Sequence, residues 1–198
     1  LAIGINHSNV ARTYSCGWYD DQFFLVQEYG DGSLADLIGG GTVYTKRALL
    51  YLIQATRGLA AMAKAGLYHG ALKPSNFLIS EGETLKVSDL ALVHAAPKGC
   101  TLPEVGRYLA PEGGPEDGAK MRKDIYALGA VFYHLLVGKA PRMFNRKRLR
   151  EGRKDLPSKF CAKIERMMAE NPADRFKDYE DLLRHLEGLA KEQGLTLP

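Results

Sequence analysis

The chain is short of the residues that mark several classes of protein. Its three cysteines, Cys16, Cys100 and Cys161, are an odd number with no C-x-x-C pair among 198 residues. This argues against a disulfide framework or a zinc site and predicts a reducing, cytoplasmic setting. The five histidines are scattered, with no ligand pair at helical spacing. No apolar run is long enough for a bilayer: the most apolar window, Ala127 to Gly138, is interrupted by His134. No signal-peptide pattern opens the chain. It begins on Leu1 rather than methionine, which predicts a piece of a longer protein. Net charge is also small, since 27 Lys and Arg against 23 Asp and Glu leave only +4. That excess is too weak to argue for nucleic acid. With 45% hydrophobic residues, the chain can bury a substantial core as one domain.

What is present is a polar loop that runs into a hairpin. Tyr68-His69-Gly70-Ala71-Leu72-Lys73-Pro74-Ser75-Asn76 leads into the apolar strand Phe77-Leu78-Ile79. A turn at Glu81-Gly82 follows, then a strand ending in Val87-Ser88-Asp89-Leu90-Ala91. An amide at one end and a carboxylate at the other suit a divalent cation. Asn76 and Asp89 offer hard oxygen donors for Mg²⁺, and Lys73 can face a phosphate. An ordinary β-hairpin with polar ends fits the same residues, because short motifs also match by chance.

Other segments read from pattern. Apolar runs around Ala11–Trp18 and Phe23–Tyr29, split by Asp20-Asp21-Gln22, predict strand-turn-strand. Ser33 is a good N-cap for a short helix. Residues 46–66 predict a long helix, with Leu49, Leu50, Ile53, Leu59, Met62 and Ala63 near a 3.6 period and Gly66 closing it. Gly39-Gly40-Gly41 reads as a linker. Residues 92–109, broken by Pro97, Gly99, Pro103 and Gly106, predict an exposed loop, and helices are expected over 120–138, 157–169 and 177–192. Arg142 to Lys154 hold seven basic residues against Glu151 alone. That run is a solvated face or a docking patch for an acidic partner. No aromatics interleave to stack bases, so nucleic acid is not expected there.

In order, these segments resemble the eukaryotic-type protein kinases. His69 to Asn76 resembles the catalytic loop H-R-D-L-x-x-x-N, and Asp89-Leu90-Ala91 the D-F-G site. Tyr108-Leu109-Ala110-Pro111-Glu112 resembles the Y-x-A-P-E end of the activation segment. Asp124 to Gly129 is similar to the D-x-x-x-x-G helix, and Asn171 to Arg175 to the N-P-x-x-R turn. Glu28-Tyr29-Gly30 matches the hinge, with Gln27 at the gatekeeper place beside any adenine. The resemblance implies an α+β, mainly α-helical fold: a protein-kinase-like C-lobe over 31–198, with a remnant of the N-lobe β-sheet over 1–30, namely two strands and the hinge. It implies ATP against Glu28, Gly30 and Leu78, with Mg²⁺ at Asn76 and Asp89. It also implies structural roles for His69 and Asp124 and an ion pair between Glu112 and Arg175.

Departures from the family pattern matter as much. Ala71 stands where the catalytic aspartate is expected, Gly70 where most members carry arginine, and Val105 where Ser/Thr kinases carry a threonine that bonds the aspartate and lysine. No G-x-G-x-x-G loop or V-A-I-K lysine precedes the hinge. Lys73 is left as a vestigial phosphate contact. The resemblance therefore implies a pseudokinase acting as an interaction or regulatory module, with ATP and Mg²⁺ weak at best. Its alternatives are an atypical Ser/Thr kinase whose N-lobe lies outside this chain, and a nucleotide sensor that transfers nothing. Tyr14, Trp18, Phe23, Phe24 and Val26 would leave an apolar hairpin face to dock a protein partner or a second copy.

Overall fold

Helix α1 spans Leu34–Gly40 and α2 spans Thr45–Lys64 in the computed structural model, which describes residues 4–20, 22–41, 43–90, 104–113, 120–141 and 148–197. The 3.6-residue recurrence of apolar positions in α2 puts Leu49, Leu52, Ile53, Leu59 and Met62 inside. Each such side chain contributes roughly 1.5–3 kcal/mol relative to leaving it in water. Helix α3 (Lys120–Val137) is basic in its first turn, but after Asp124 it is almost wholly apolar and is buried as far as Leu136 except at His134. A helix without a polar face belongs at the centre of a fold. It packs against α1, α2, α4 (Leu149–Gly152) and α5 (Ser158–Met167). Helix α6 (Tyr179–Glu192) lies along α2, and its Asp178 cap accepts the Asp181 N–H at 2.7 Å.

The strands form two small sheets. β1 (Thr13–Tyr19) and β2 (Gln22–Gln27) make an antiparallel pair. β3 (Gly32–Ser33), β4 (Phe77–Ser80) and β5 (Thr84–Val87) form an antiparallel sheet in that order. Residues 9–11 zip along β5: Val87 N donates to Asn9 O at 2.9 Å, and Ala11 N to Val87 O at 2.8 Å. Gly58 of α2 permits this approach, because a Cβ there would lie 2.3 Å from the Asn9 carbonyl. The buried Asn9 amide then donates to Gln54 Oε1 at 3.1 Å and to Leu85 O at 2.9 Å. A polar network satisfied in this way fixes the position of the segment that feeds β1.

One expectation needs correction. Leu92 to Leu109 was expected as an exposed loop; residues 91–103 lie outside the described residues, but the remainder is partly interior. Val105 and Tyr108 are 4% and 5% exposed. Tyr108 stacks on His134 of α3, with its hydroxyl 2.8 Å from Nδ1, and this anchor outweighs the loop-like composition. In the basic run, Arg148, Arg150 and Lys154 are exposed. Residues 142–147 lie outside the described set. Arg153 turns inward, donating to Leu136 O at 2.9 Å and pairing with Asp155 at 2.7 Å, while Leu149 is fully buried. Among the described residues no helix is long and apolar enough to cross a membrane.

Candidate functional site

The polar loop between α2 and β4 is held from below by α3. Asp124 Oδ2 accepts the His69 N–H at 2.7 Å, and Oδ1 accepts the Gly70 N–H at 2.8 Å. The Tyr179 hydroxyl donates to Oδ2 at 3.3 Å. Burial pushes the Asp124 carboxyl above its usual range, and its charge interaction with His69 and these three donors pull it back. A buried carboxylate requires such donors. His69 is itself fully buried, and desolvation lowers its pKa against the opposing charge of Asp124. Its Nδ1 accepts the Ala71 N–H at 3.3 Å, which leaves Nε2 to donate to Ser88 O at 2.9 Å. A neutral imidazole therefore bridges the loop to the residue before Asp89.

The loop then enters a 3₁₀ turn, Pro74–Asn76, started by the proline's fixed φ. Asn76 is 3% exposed. Its backbone carbonyl accepts from Ser88 N at 2.8 Å, which aligns β4 with the start of the Asp89 segment. Its side-chain Oδ1 accepts the Lys73 N–H at 3.2 Å, and Nδ2 donates to Asp89 Oδ2 at 2.8 Å. The other Asp89 oxygen accepts from Gln27 Nε2 at 2.8 Å, and the Asp89 N–H donates to Gln27 Oε1 at 3.4 Å. Asp89 adopts φ +62°, a conformation that non-glycine residues keep only when their surroundings hold it.

Lys73, Asn76 and Asp89 are thus brought to one place, with Ala71 in the same loop. Ala71 is 6% exposed and offers a methyl group where an acid or base would be needed. The Lys73 ammonium pairs with Glu104 at 2.9 Å, across a cleft of about 470 Å³ that also meets Arg107, Tyr108 and His134. Gly30 and Leu78 stand against each other, since a Cβ on Gly30 would lie 2.8 Å from the Leu78 Cβ. Glu28 faces elsewhere: it takes Lys86 at 2.6 Å and the Arg12 N–H at 3.2 Å. Glu112 and Arg175 are apart from the loop and form a two-pronged pair at 2.6 and 2.7 Å. Arg175 is 1% exposed, lies over the Tyr126 ring and donates to the carbonyls of Ala169, Glu170 and Arg122.

A divalent cation does not fit this donor set as it stands. Both Asp89 oxygens face amide hydrogens, and the one Asn76 oxygen faces a backbone N–H. Among the described residues no cluster of three His, Cys, Asp or Glu is placed to hold a metal. The Gln27 contact escaped the sequence reading, which placed Gln27 only beside an adenine. The partnership of Lys73 with Glu104 was also missed, because nothing local links positions so far apart in the chain.

Comparison with known proteins agrees with this geometry. The family model described as protein kinase domain matches residues 2–196. Serine/threonine-protein kinase PrkC of Bacillus subtilis is 31% identical over 148 residues, covering 71% of this chain and 23% of that protein. Serine/threonine-protein kinase PLK2 of Mus musculus is 31% identical over 199 residues, covering 91% and 29%. The chain therefore spans about a quarter of the length of these curated relatives. A crystal structure of a mutant form of the Mycobacterium tuberculosis PknI kinase domain superposes with a TM-score of 0.78 at 22% identity. That match covers 96% of this chain and 74% of the other, and at this identity it shows the fold alone.

Proposed function

The chain belongs to the protein kinase family, and from that premise we propose that it is a pseudokinase: an interaction or regulatory module that does not transfer phosphate. The observation that carries this reading is the buried Ala71 in an otherwise ordered loop. In this family a loop carboxylate accepts the substrate's hydroxyl proton. A methyl group does neither that nor the orienting of a nucleophile. Loss of a general base costs about 10²–10⁴ in rate. Val105 removes the second partner of the same interaction, and Glu104 ties up Lys73. On this reading residues 31–198 are the C-lobe, and residues 1–30 are a hinge and a two-stranded remnant of the N-lobe sheet.

The test is radiolabelled phosphate transfer from ATP to generic protein substrates. Wild type is expected to match an Asp89→Ala control, and Ala71→Asp alone is expected not to restore transfer, because Val105 still offers no hydroxyl and Glu104 still holds Lys73. Incorporation by wild type well above the control overturns the proposal. One observation favours a second reading, an atypical Ser/Thr kinase completed by sequence outside this chain: Lys73, Asn76 and Asp89 stand together, and the relatives are named Ser/Thr kinases.

The regulatory contact is proposed to use the outer face of β1 and β2, where Tyr19 is 79% and Phe24 43% exposed. Such a face is normally covered or used for binding. The occupant proposed is a second copy of the chain, paired at a strand edge left open among the described residues. Light scattering should show self-association that Phe24→Asp abolishes. A wild type that stays monomeric at high concentration removes this assignment.

A further inference from the structure

Asp89 is held by more than the catalytic-loop hairpin. Gln27, at the end of β2, meets it twice, donating from Nε2 to Oδ1 at 2.8 Å and accepting the Asp89 N–H at 3.4 Å. Asn76 closes the other side at 2.8 Å, and its own oxygen is turned away toward the Lys73 N–H. That bond fixes which end of the Asn76 amide faces Asp89. Three partially positive N–H groups therefore point at the three oxygens that a cation would need. Each oxygen keeps a second lone pair. The obstacle is instead the amide hydrogens, which occupy and repel at the position of a cation that demands close octahedral contact.

From this arrangement we infer that Gln27 is the residue that closes the Asp89–Asn76 site to divalent cations, acting as a built-in substitute for one. Asn76 alone cannot do so, because it meets only one Asp89 oxygen, and a carboxylate released by Gln27 can turn away from the Asn76 amide. Gln27 prevents that turn by pairing with both the backbone and the carboxylate of Asp89. It does so from a different sheet, so the closure belongs to the tertiary fold rather than to the loop. The inference rests on the proposed function only in treating Asn76 and Asp89 as the cation-facing pair.

Free Mn²⁺ counted by electron paramagnetic resonance tests it on the full chain. Wild type should show no Mn²⁺ binding that depends on Asp89. Gln27→Leu, which removes both polar ends, should show Asp89-dependent binding about tenfold or more tighter than the detection limit that wild type sets, the worth of a hydrogen bond to a charged group. Asp89→Asn in that background should abolish the gain. Gln27→Met keeps the volume and serves where the leucine variant does not give wild-type circular dichroism. Asp89-dependent binding by wild type as tight as by the variants overturns the inference, as does a folded variant that gains nothing. Phosphate transfer by wild type would overturn the proposed function instead and leave the Mn²⁺ comparison to decide this question.

Discussion

The helical body and the β1–β2 hairpin satisfy their side chains in opposite ways. Around Asp124 a carboxylate takes three donors, and Arg175 is sealed among carbonyls, a carboxylate and an aromatic ring. Phe77 and Phe132 meet edge to face in the same interior at 6.5 Å. On the hairpin, Tyr14, Trp18, Tyr19, Phe24 and Val26 are all exposed. The inner half of its alternation is only half buried. Two strands alone are marginal in water. This hairpin is instead tied at its base, by Ala11 to Val87, Glu28 to Lys86 and Gln27 to Asp89. The body is stabilised by burial, and the hairpin by a few polar tethers.

The comparison breaks most severely where the body loses a buried partner. Glu112→Ala strands the Arg175 guanidinium, whose side chain has no exposure. The expected cost is about 3–5 kcal/mol, read as a shift in the urea midpoint. A loss below roughly 1 kcal/mol would show that the carbonyl contacts alone hold the arginine. Amide exchange sharpens the contrast at a second level. Backbone amides within β1 and β2 should exchange roughly 10²-fold faster than those in the middle of α3, because local opening of the hairpin exposes little new apolar surface. Equal protection would mean that the hairpin opens only with the whole fold.

How much of this was legible in the sequence follows the same division. Helices α2 and α3 announce themselves because burial imposes a period on their residues, and the ordered motifs locate the loop and its neighbours. Asp124 and His69 were nominated from motif position alone. The hairpin follows from two apolar runs around a polar turn, but the register puts Trp18 beside Phe23 and Phe24 on the opposite face. What the sequence did not display is every contact made by a long-range amide. Asn9 with Gln54, and Gln27 with Asp89, join positions that no periodicity relates. Arg153 reads as one more member of a basic run until the carbonyl of Leu136 is found beneath it. Val105 and Tyr108 reverse their local composition because α3 offers them a surface.

The smallest effect concerns the tether most sensitive to acid. Burial raises the Glu28 carboxyl, but the bonds from Lys86 and the Arg12 amide, with the charges of both, outweigh it and leave its pKa below the ordinary 4.5. A group with a depressed folded pKa contributes stability that is complete above its unfolded value and is lost as pH falls through the folded one. The tether should therefore weaken below about pH 4.5. A partly exposed pair of this kind is worth less than about 1 kcal/mol. Trp18 is the only tryptophan and lies on the hairpin against Phe23, so its emission reports this event. Acid should change that emission before far-ultraviolet dichroism registers loss of the helices. Glu28→Gln should remove the early step and leave the later one in place. Coincident changes in wild type, or an early step that survives in the variant, would show that the hairpin is not held by this ion pair.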